Sequence, residues 1–228
     1  VTRHELHLAL CALAASFPVY RTYVVDEAND DDRAVMNDAL ARARELHPDV
    51  DADLFAWLGR LFVADAALSI PAALANVARE ARVRFQQLTA PVMAKGVEDT
   101  TFYIAHRLDS ACEVGADPSR PAIDVATFHA ANARAHERWP ARLLTTSTHD
   151  TKRSEDVRAR IAVLSELASD WAALLDRLSF VASRHRSVVD GAGVDRASEL
   201  SLLQTLVGTW PESALGSERA LPSDYVER

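Results

Sequence analysis

The sequence predicts a mainly α protein, a bundle-like set of helices with two or three short strands. Three observations carry that expectation. Ala is the most abundant residue and Gly occurs only 7 times in 228, which favours helix because Ala carries the lowest helical cost and Gly a high one. Apolar residues recur every three or four positions over most of the chain. The 9 prolines fall mainly between these stripes, where helices start or stop.

Taken in order, Leu6, Leu10, Leu13 and Phe17 form the first stripe, over residues 2–16, and Pro18 ends it. FPVYRTYV, Phe17–Val24, alternates apolar and β-prone residues and predicts a short strand. The acidic run DEANDDDR, Asp26–Arg33, reads as a surface loop. Val35, Ala39, Leu40, Ala43 and Leu46 make the next helix, closed by His47-Pro48. Leu54, Leu58 and Leu61, backed by Phe55, Trp57 and Phe62, predict another over 51–64. Pro71 suits a first turn, and Leu74, Val77, Ala78, Ala81, Phe85 and Leu88 follow as an apolar face. Arg79, Glu80, Arg82 and Arg84 then fall mostly on the solvated side, and Pro91 is expected to break the helix.

Residues 97–109 predict a short helix and 123–138 a longer one, with the turn-rich EVGADPSRP between them. Leu143 to Ser147 is the next strand candidate. A long helical pattern from Ser154 runs through Val157, Ile161, Leu164 and Leu167, loosens near Ser169-Asp170 and resumes to Val181. Gly191-Ala192-Gly193 predicts a turn, 195–208 a last helix, and the tail looks irregular. Three regions follow: 1–138, helical with a short strand near 17–24; 139–153, a strand and its loop; and 154–228, a helical continuation and tail.

The net charge of −8 gives no electrostatic ground for nucleic acid or an anionic membrane as partner. No apolar run reaches the roughly 18 residues of a membrane span. With two cysteines, Cys11 and Cys112, and no secretory leader, a reducing cytoplasmic location is expected. His4 with His7 and His129 with His136 lack a Cys or carboxylate constellation, so no metal site is expected. No phosphate loop or other cofactor signature appears.

The stretch that carries chemistry is LLTTSTHDTKRSEDVR, Leu143–Arg158. An acid, an imidazole and two cations crowd the end of an apolar segment, where α/β enzymes keep their working groups. The plainer reading is that Asp150 or Ser154 caps the following helix while Lys152 and Arg153 are solvated. The extended string THDTKRSEDVRARIAVLSE resembles the segment of maltooligosyltrehalose synthases that contains the His-Asp pair of the wider α-amylase superfamily. LTAPVMAKGVEDTTFY, Leu88–Tyr103, resembles a second stretch of the same synthases. FPVYRTYV, EVGADP, WPARLLTTS and LQTLVGTWP match in the same order.

That resemblance implies a partial piece of a (β/α)₈-barrel enzyme, since this chain has nothing like eight alternating strands. Residues 1–138 would then be a helical insertion and 139–153 a barrel strand with its His-Asp loop. The implied activity is a (1→4)-α-D-glucan 1-α-D-glucosylmutase. The reducing-end α-1,4 bond of a maltooligosaccharide is rearranged into an α,α-1,1 trehalose linkage by intramolecular transglycosylation. Asp150 corresponds to the carboxylate that stabilises the transition state, and His149 to a sugar ligand. The nucleophile and the acid/base lie elsewhere, so the piece alone is expected to be inactive. Its partners are then the sugar chain and the remainder of its own catalytic barrel.

Lys152, Lys95, Glu98, Asp99, Phe102, Tyr103 and Arg153 are the further substrate-binding candidates. Gly96 would permit a positive φ or a close approach. Phe102 equally suits core packing, and Arg153 suits pairing with Glu155 or Asp156. Tyr20, Arg21 and Tyr23 are weaker candidates. So is Glu113, which Asn often precedes in the family and Cys112 precedes here. Two other readings stand beside this one: another α-glucan enzyme of the superfamily, and a helical interaction module without an active site.

Overall fold

Six of the described helices open where a side chain takes up N–H groups that the first turn leaves unpaired. Thr2 and Asn29 form capping boxes with Glu5 and Asp32 at the starts of α1 (Arg3–Ala15) and α2 (Asp30–Leu46). Asp51 caps α3 (Ala52–Phe62), and α4 (Ala75–Met93) follows a 3₁₀ turn at Ala72–Leu74. Asp124, Ser154 and Asp195 cap α5 (Val125–Arg138), α6 (Glu155–Val163) and α8 (Arg196–Thr209), with α7 (Ala168–Ser183) between the last two. Helices α4 and α7 begin without such a cap. A four-residue α9 (Ser223–Val226) comes last. The acidic run expected as a loop in fact supplies the first turn of α2, where Asp30, Asp31 and Asp32 meet the positive end of the helix dipole.

This computed structural model describes residues 1–186, 193–216 and 221–227. Gly191 and Ala192 of the expected Gly-Ala-Gly turn lie outside them. The chain divides into two units, Val1–Asp99 and Thr100–Arg228.

In the first unit α1–α4 enclose an apolar core in which Leu13, Phe55 and Leu58 are fully buried. Phe85 of α4 stacks on Phe62, ring centroids 4.0 Å apart, and meets Phe17 edge-on at 5.7 Å. The buried face of α4 is Arg82, Phe85, Gln86 and Thr89; of the expected apolar stripe Phe85 is buried and Ala78 packs against the core, while Leu74, Val77 and Leu88 are exposed. Arg82, expected on the solvated side, is buried because its guanidinium donates to the carbonyls of Leu61 (3.0 Å) and Val25 (2.6 Å). Burial pushes its pKa down. Nor does Pro91 break α4: the helix runs on to Met93 and widens into one π turn, Ala94–Glu98. There the Asp99 N–H reaches back five residues to Ala94. Gly96 sits in that turn rather than at positive φ, which Gly115 and Gly216 adopt.

The expected strands are absent: among the described residues no strand or sheet occurs. A strand needs a backbone partner, and side chains take that role here. Over 17–24, Val24 donates its N–H to Gln86 Oε1 (2.7 Å) and accepts at its carbonyl from Gln86 Nε2 (2.8 Å). Gln86 Oε1 also accepts from the Thr22 hydroxyl. Over 143–147, Leu143 is 99% and Leu144 76% exposed. The Thr145 hydroxyl bonds the Ser147 carbonyl, and Arg158 donates to the carbonyl of Thr146.

In the second unit α6 packs on α8 along a seam containing Ile161, Leu203 and Gly208. A Cβ on Gly208 would stand 2.8 Å from Val157 Cγ1 and 3.1 Å from Ile161 Cγ1, so glycine is what lets the two helices approach. The break expected near Ser169-Asp170 comes earlier, over 164–167, and neither α5 nor α7 contains a buried residue. No described helix is long and apolar enough to cross a membrane.

Replacing Gln86 with Leu keeps the volume and strands both polar groups of Val24. Chemical denaturation should show a loss of about 1–3 kcal/mol; an unchanged midpoint would mean that water satisfies Val24 equally well.

Candidate functional site

The two residues singled out most strongly, His149 and Asp150, occupy the corner of a tight turn. Thr148 and Thr151 close it: the Thr151 N–H reaches the Thr148 carbonyl at 3.4 Å and the Thr151 hydroxyl the same oxygen at 2.8 Å. The Asp150 N–H in turn contacts the Thr148 hydroxyl at 3.2 Å. Both side chains face solvent, His149 91% and Asp150 66% exposed, with 3.5 Å between His149 Nε2 and Asp150 Oδ2. The cap of α6 is Ser154, whose hydroxyl accepts from Val157 N. Asp150 therefore does not finish the helix.

What fixes this turn lies beneath it. Glu113 is buried. Its Oε1 accepts the backbone N–H of Lys152 at 2.8 Å and its Oε2 that of Arg153 at 3.2 Å. Oε1 also takes the Val114 N–H, and Arg158 Nε stands 3.8 Å from Oε2. Asp109, with a side chain only 1% exposed, pairs with Arg153 through Nη2 at 2.7 Å. The same carboxylate accepts from the Ser201 hydroxyl at 2.7 Å, and His106 Nδ1 lies 3.1 Å from its other oxygen. Gln204, fully buried, accepts from the Asp109 N–H and donates to the His106 carbonyl, both at 2.8 Å. Arg153 is thus engaged with Asp109, not with Glu155 or Asp156, because the turn brings its guanidinium over a carboxylate 44 residues earlier.

The remaining candidates separate by unit. Lys95, Glu98 and Asp99 lie in the first. Lys95 pairs with Asp99 one turn on, and the buried Glu98 accepts from the Tyr20 hydroxyl. Arg21 stacks over the ring of Tyr23. In the second unit Phe102 is buried and Tyr103 is 66% exposed. A cavity of about 540 Å³ beside the turn is lined by residues that include Thr145, Thr146, Glu155 and Arg158; neither His149 nor Asp150 lines it. Among the described residues no three His, Cys, Asp or Glu side chains gather as a metal site would require.

Asp109, His106, Ser201 and Gln204 escaped the sequence reading. Their partners lie up to 98 residues away in the chain, and no local pattern marks such a pairing.

Cys112 sits at the edge of this network, buried, with its Sγ 3.0 Å from the Ala105 carbonyl. Burial, and after it the negative charge of Asp109, push the thiol pKa up. Below the ordinary thiol range both folded and unfolded chains keep the proton. As pH rises through that range the unfolded chain ionises first, and the stability is lost. Iodoacetamide at mildly alkaline pH should therefore modify the exposed Cys11 and spare Cys112 until denaturant is added. Equal rates for the two thiols would show the network open to solvent.

No protein-family model matches the chain. A curated protein of Mycobacterium tuberculosis (strain CDC 1551 / Oshkosh), named "Putative maltooligosyl trehalose synthase", is 43% identical over 141 residues. So is its counterpart, under the same name, in strain ATCC 25618 / H37Rv. In both cases the match covers 61% of this chain, which spans 17% of the relative's length. The crystal structure of a "hypothetical maltooligosyl trehalose synthase" from Sulfolobus tokodaii superposes on the whole chain with a TM-score of 0.59 at 26% identity, and 25% of that protein is covered. By sequence over most of its length and by fold over all of it, the chain is similar to one section of maltooligosyl trehalose synthases, the family its motifs resemble.

Proposed function

We propose that this chain is a section of a longer enzyme that rearranges the reducing-end α-1,4 bond of a maltooligosaccharide into an α,α-1,1 trehalose linkage. The observation that carries the reading is the His149–Asp150 turn: two exposed polar side chains, released from capping by Ser154 and fixed from below by buried carboxylates. A protein orders a surface turn at such cost where the position of its side chains matters. The 43% identity to the mycobacterial protein supports this reaction class.

In this reading Asp150 grips hydroxyls of the glucose whose anomeric carbon becomes positively charged, and His149 bonds the same ring. Contacts that tighten as charge develops lower the barrier rather than merely bind substrate. Retention at the donor carbon calls for a nucleophile and an acid/base, which the resemblance assigns to other parts of the enzyme. In the second unit Lys152 is half-buried and Tyr103 exposed, and both belong to the proposed substrate surface around the turn. Lys95 and Asp99, exposed in the first unit, are proposed as sugar contacts in their own right. Arg153, Glu98 and Phe102 hold structural duties instead: an ion pair, a tyrosine bond and a place in the interior.

The rest of the longer enzyme is the second partner. Helix α5 buries none of its residues, its Phe128 among them, and Trp139, Leu143 and Leu144 stand exposed beyond it. Apolar surface of this extent fits a section packed against further chain. A cytoplasmic location goes with this reading, and two free thiols are in keeping with it.

The test is Asp150→Asn in the longer enzyme, assayed as loss of reducing ends from maltopentaose beside this chain alone. The variant should lose roughly a hundredfold or more in rate at an unchanged melting temperature, and the chain alone should not turn over. A near-normal variant, or turnover by this chain alone, contradicts the reading. An NMR product linkage other than α,α-1,1 from the unaltered enzyme points to another α-glucan enzyme.

A further inference from the structure

We infer that Glu113 is a positioning residue for the reaction: its carboxylate sets where Asp150 stands by gripping the two peptide N–H groups that follow the turn. The inference rests on the proposed role of Asp150. Oε1 and Oε2 accept from Lys152 and Arg153 respectively, so both oxygens of one rigid planar group hold two consecutive peptides. That fixes their orientation as well as their distance, in the way a two-pronged contact does. Asp150 precedes the first of these peptides by one residue. Its own N–H is tied back to the Thr148 hydroxyl. The corner is thus held on both sides, by a hydroxyl before it and by a carboxylate after it.

The identity of the side chain follows from the donor count. Three N–H groups, those of Val114, Lys152 and Arg153, converge on Glu113. A glutamine offers one acceptor oxygen and would turn an NH₂ toward the other donors. Only an acceptor-only group satisfies all three, and Arg158 at 3.8 Å balances the buried charge. An aspartate keeps charge and acceptors but draws back by one methylene. Burying a carboxylate is costly, and what this one secures is the geometry of an exposed loop rather than a core.

A merely structural Glu113 and a positioning one differ in how they combine with Asp150. In the longer enzyme Glu113→Gln should lower kcat roughly a hundredfold, the cost of about 1 Å of misplacement, with KM nearly unchanged. The same substitution in an Asp150→Asn background should lower kcat no further, since the group it positions is already gone. Glu113→Asp should fall between, and it carries the test if Glu113→Gln fails to fold. In this chain the amides of Lys152 and Arg153 should exchange roughly tenfold faster in Glu113→Gln, as expected for a lost bond to a charged group.

Equal losses from Glu113→Gln with and without Asp150 would make Glu113 structural and overturn the inference, as would unaltered exchange at both amides. Parent-like turnover by Glu113→Gln beside a collapsed Asp150→Asn overturns this inference alone. Parent-like turnover by Asp150→Asn removes the functional reading and this role with it, whatever the amides do.

Discussion

The second unit depends on a carboxylate it has hidden. Asp109 is almost fully enclosed, yet it gathers a guanidinium and a hydroxyl from two distant parts of the chain and the imidazole of nearby His106. A buried charge without partners is among the most destabilising features a fold can contain. Once Asp109 is enclosed, Arg153, Ser201 and His106 must come to it, and the turn before Arg153 comes with them. Helix α8 is placed by the same demand, since Ser201 and Gln204 both belong to it. With Glu113 holding the adjoining peptides, two buried acids support two exposed residues. The apolar seam of Ile161, Leu203 and Gly208 supplies hydrophobic burial; the acids supply direction.

The first unit solves a related problem with a neutral group. The extended segment around Val24 has no neighbouring strand, and Gln86 supplies the donor and acceptor that a ladder would have given. Arg82 does the same for the carbonyls of Val25 and Leu61. Polar residues on α4 thus face inward, while its Val77 and Leu88 look outward. Buried backbone must be paired somewhere, and here the pairing is charged to side chains.

This exchange explains where the sequence could be read and where it could not. Most helices were legible because three-to-four apolar spacing is a local property. Of their caps, Thr2, Asn29, Asp51, Asp124, Ser154 and Asp195, only Ser154 was read as one. The short helix expected over 97–109 is instead the end of a π turn and two 3₁₀ turns. The strand expectations failed because alternation at Phe17–Val24 signals only extended backbone, and a sheet needs a partner that no local pattern encodes. Arg82 looked solvated because an arginine among charged neighbours usually is. The His149–Asp150 pair was marked by the extended string around it, which resembles the synthase segment; its residues alone equally suited a helix cap, the place that Ser154 takes. Its support was not: Arg153 and Asp109 are 44 residues apart, and Gln204 and His106 98.

The central claim is that buried carboxylates hold the turn, and a double-mutant cycle on Asp109→Asn and Arg153→Met tests it most directly. Unfolding free energies of the parent, both single variants and the double variant should yield a coupling of about 2 kcal/mol or more, the scale of residues sharing one buried network. Singles that add up to the double, with coupling near zero, would mean that the pair forms no energetic unit and that the turn is held by something else.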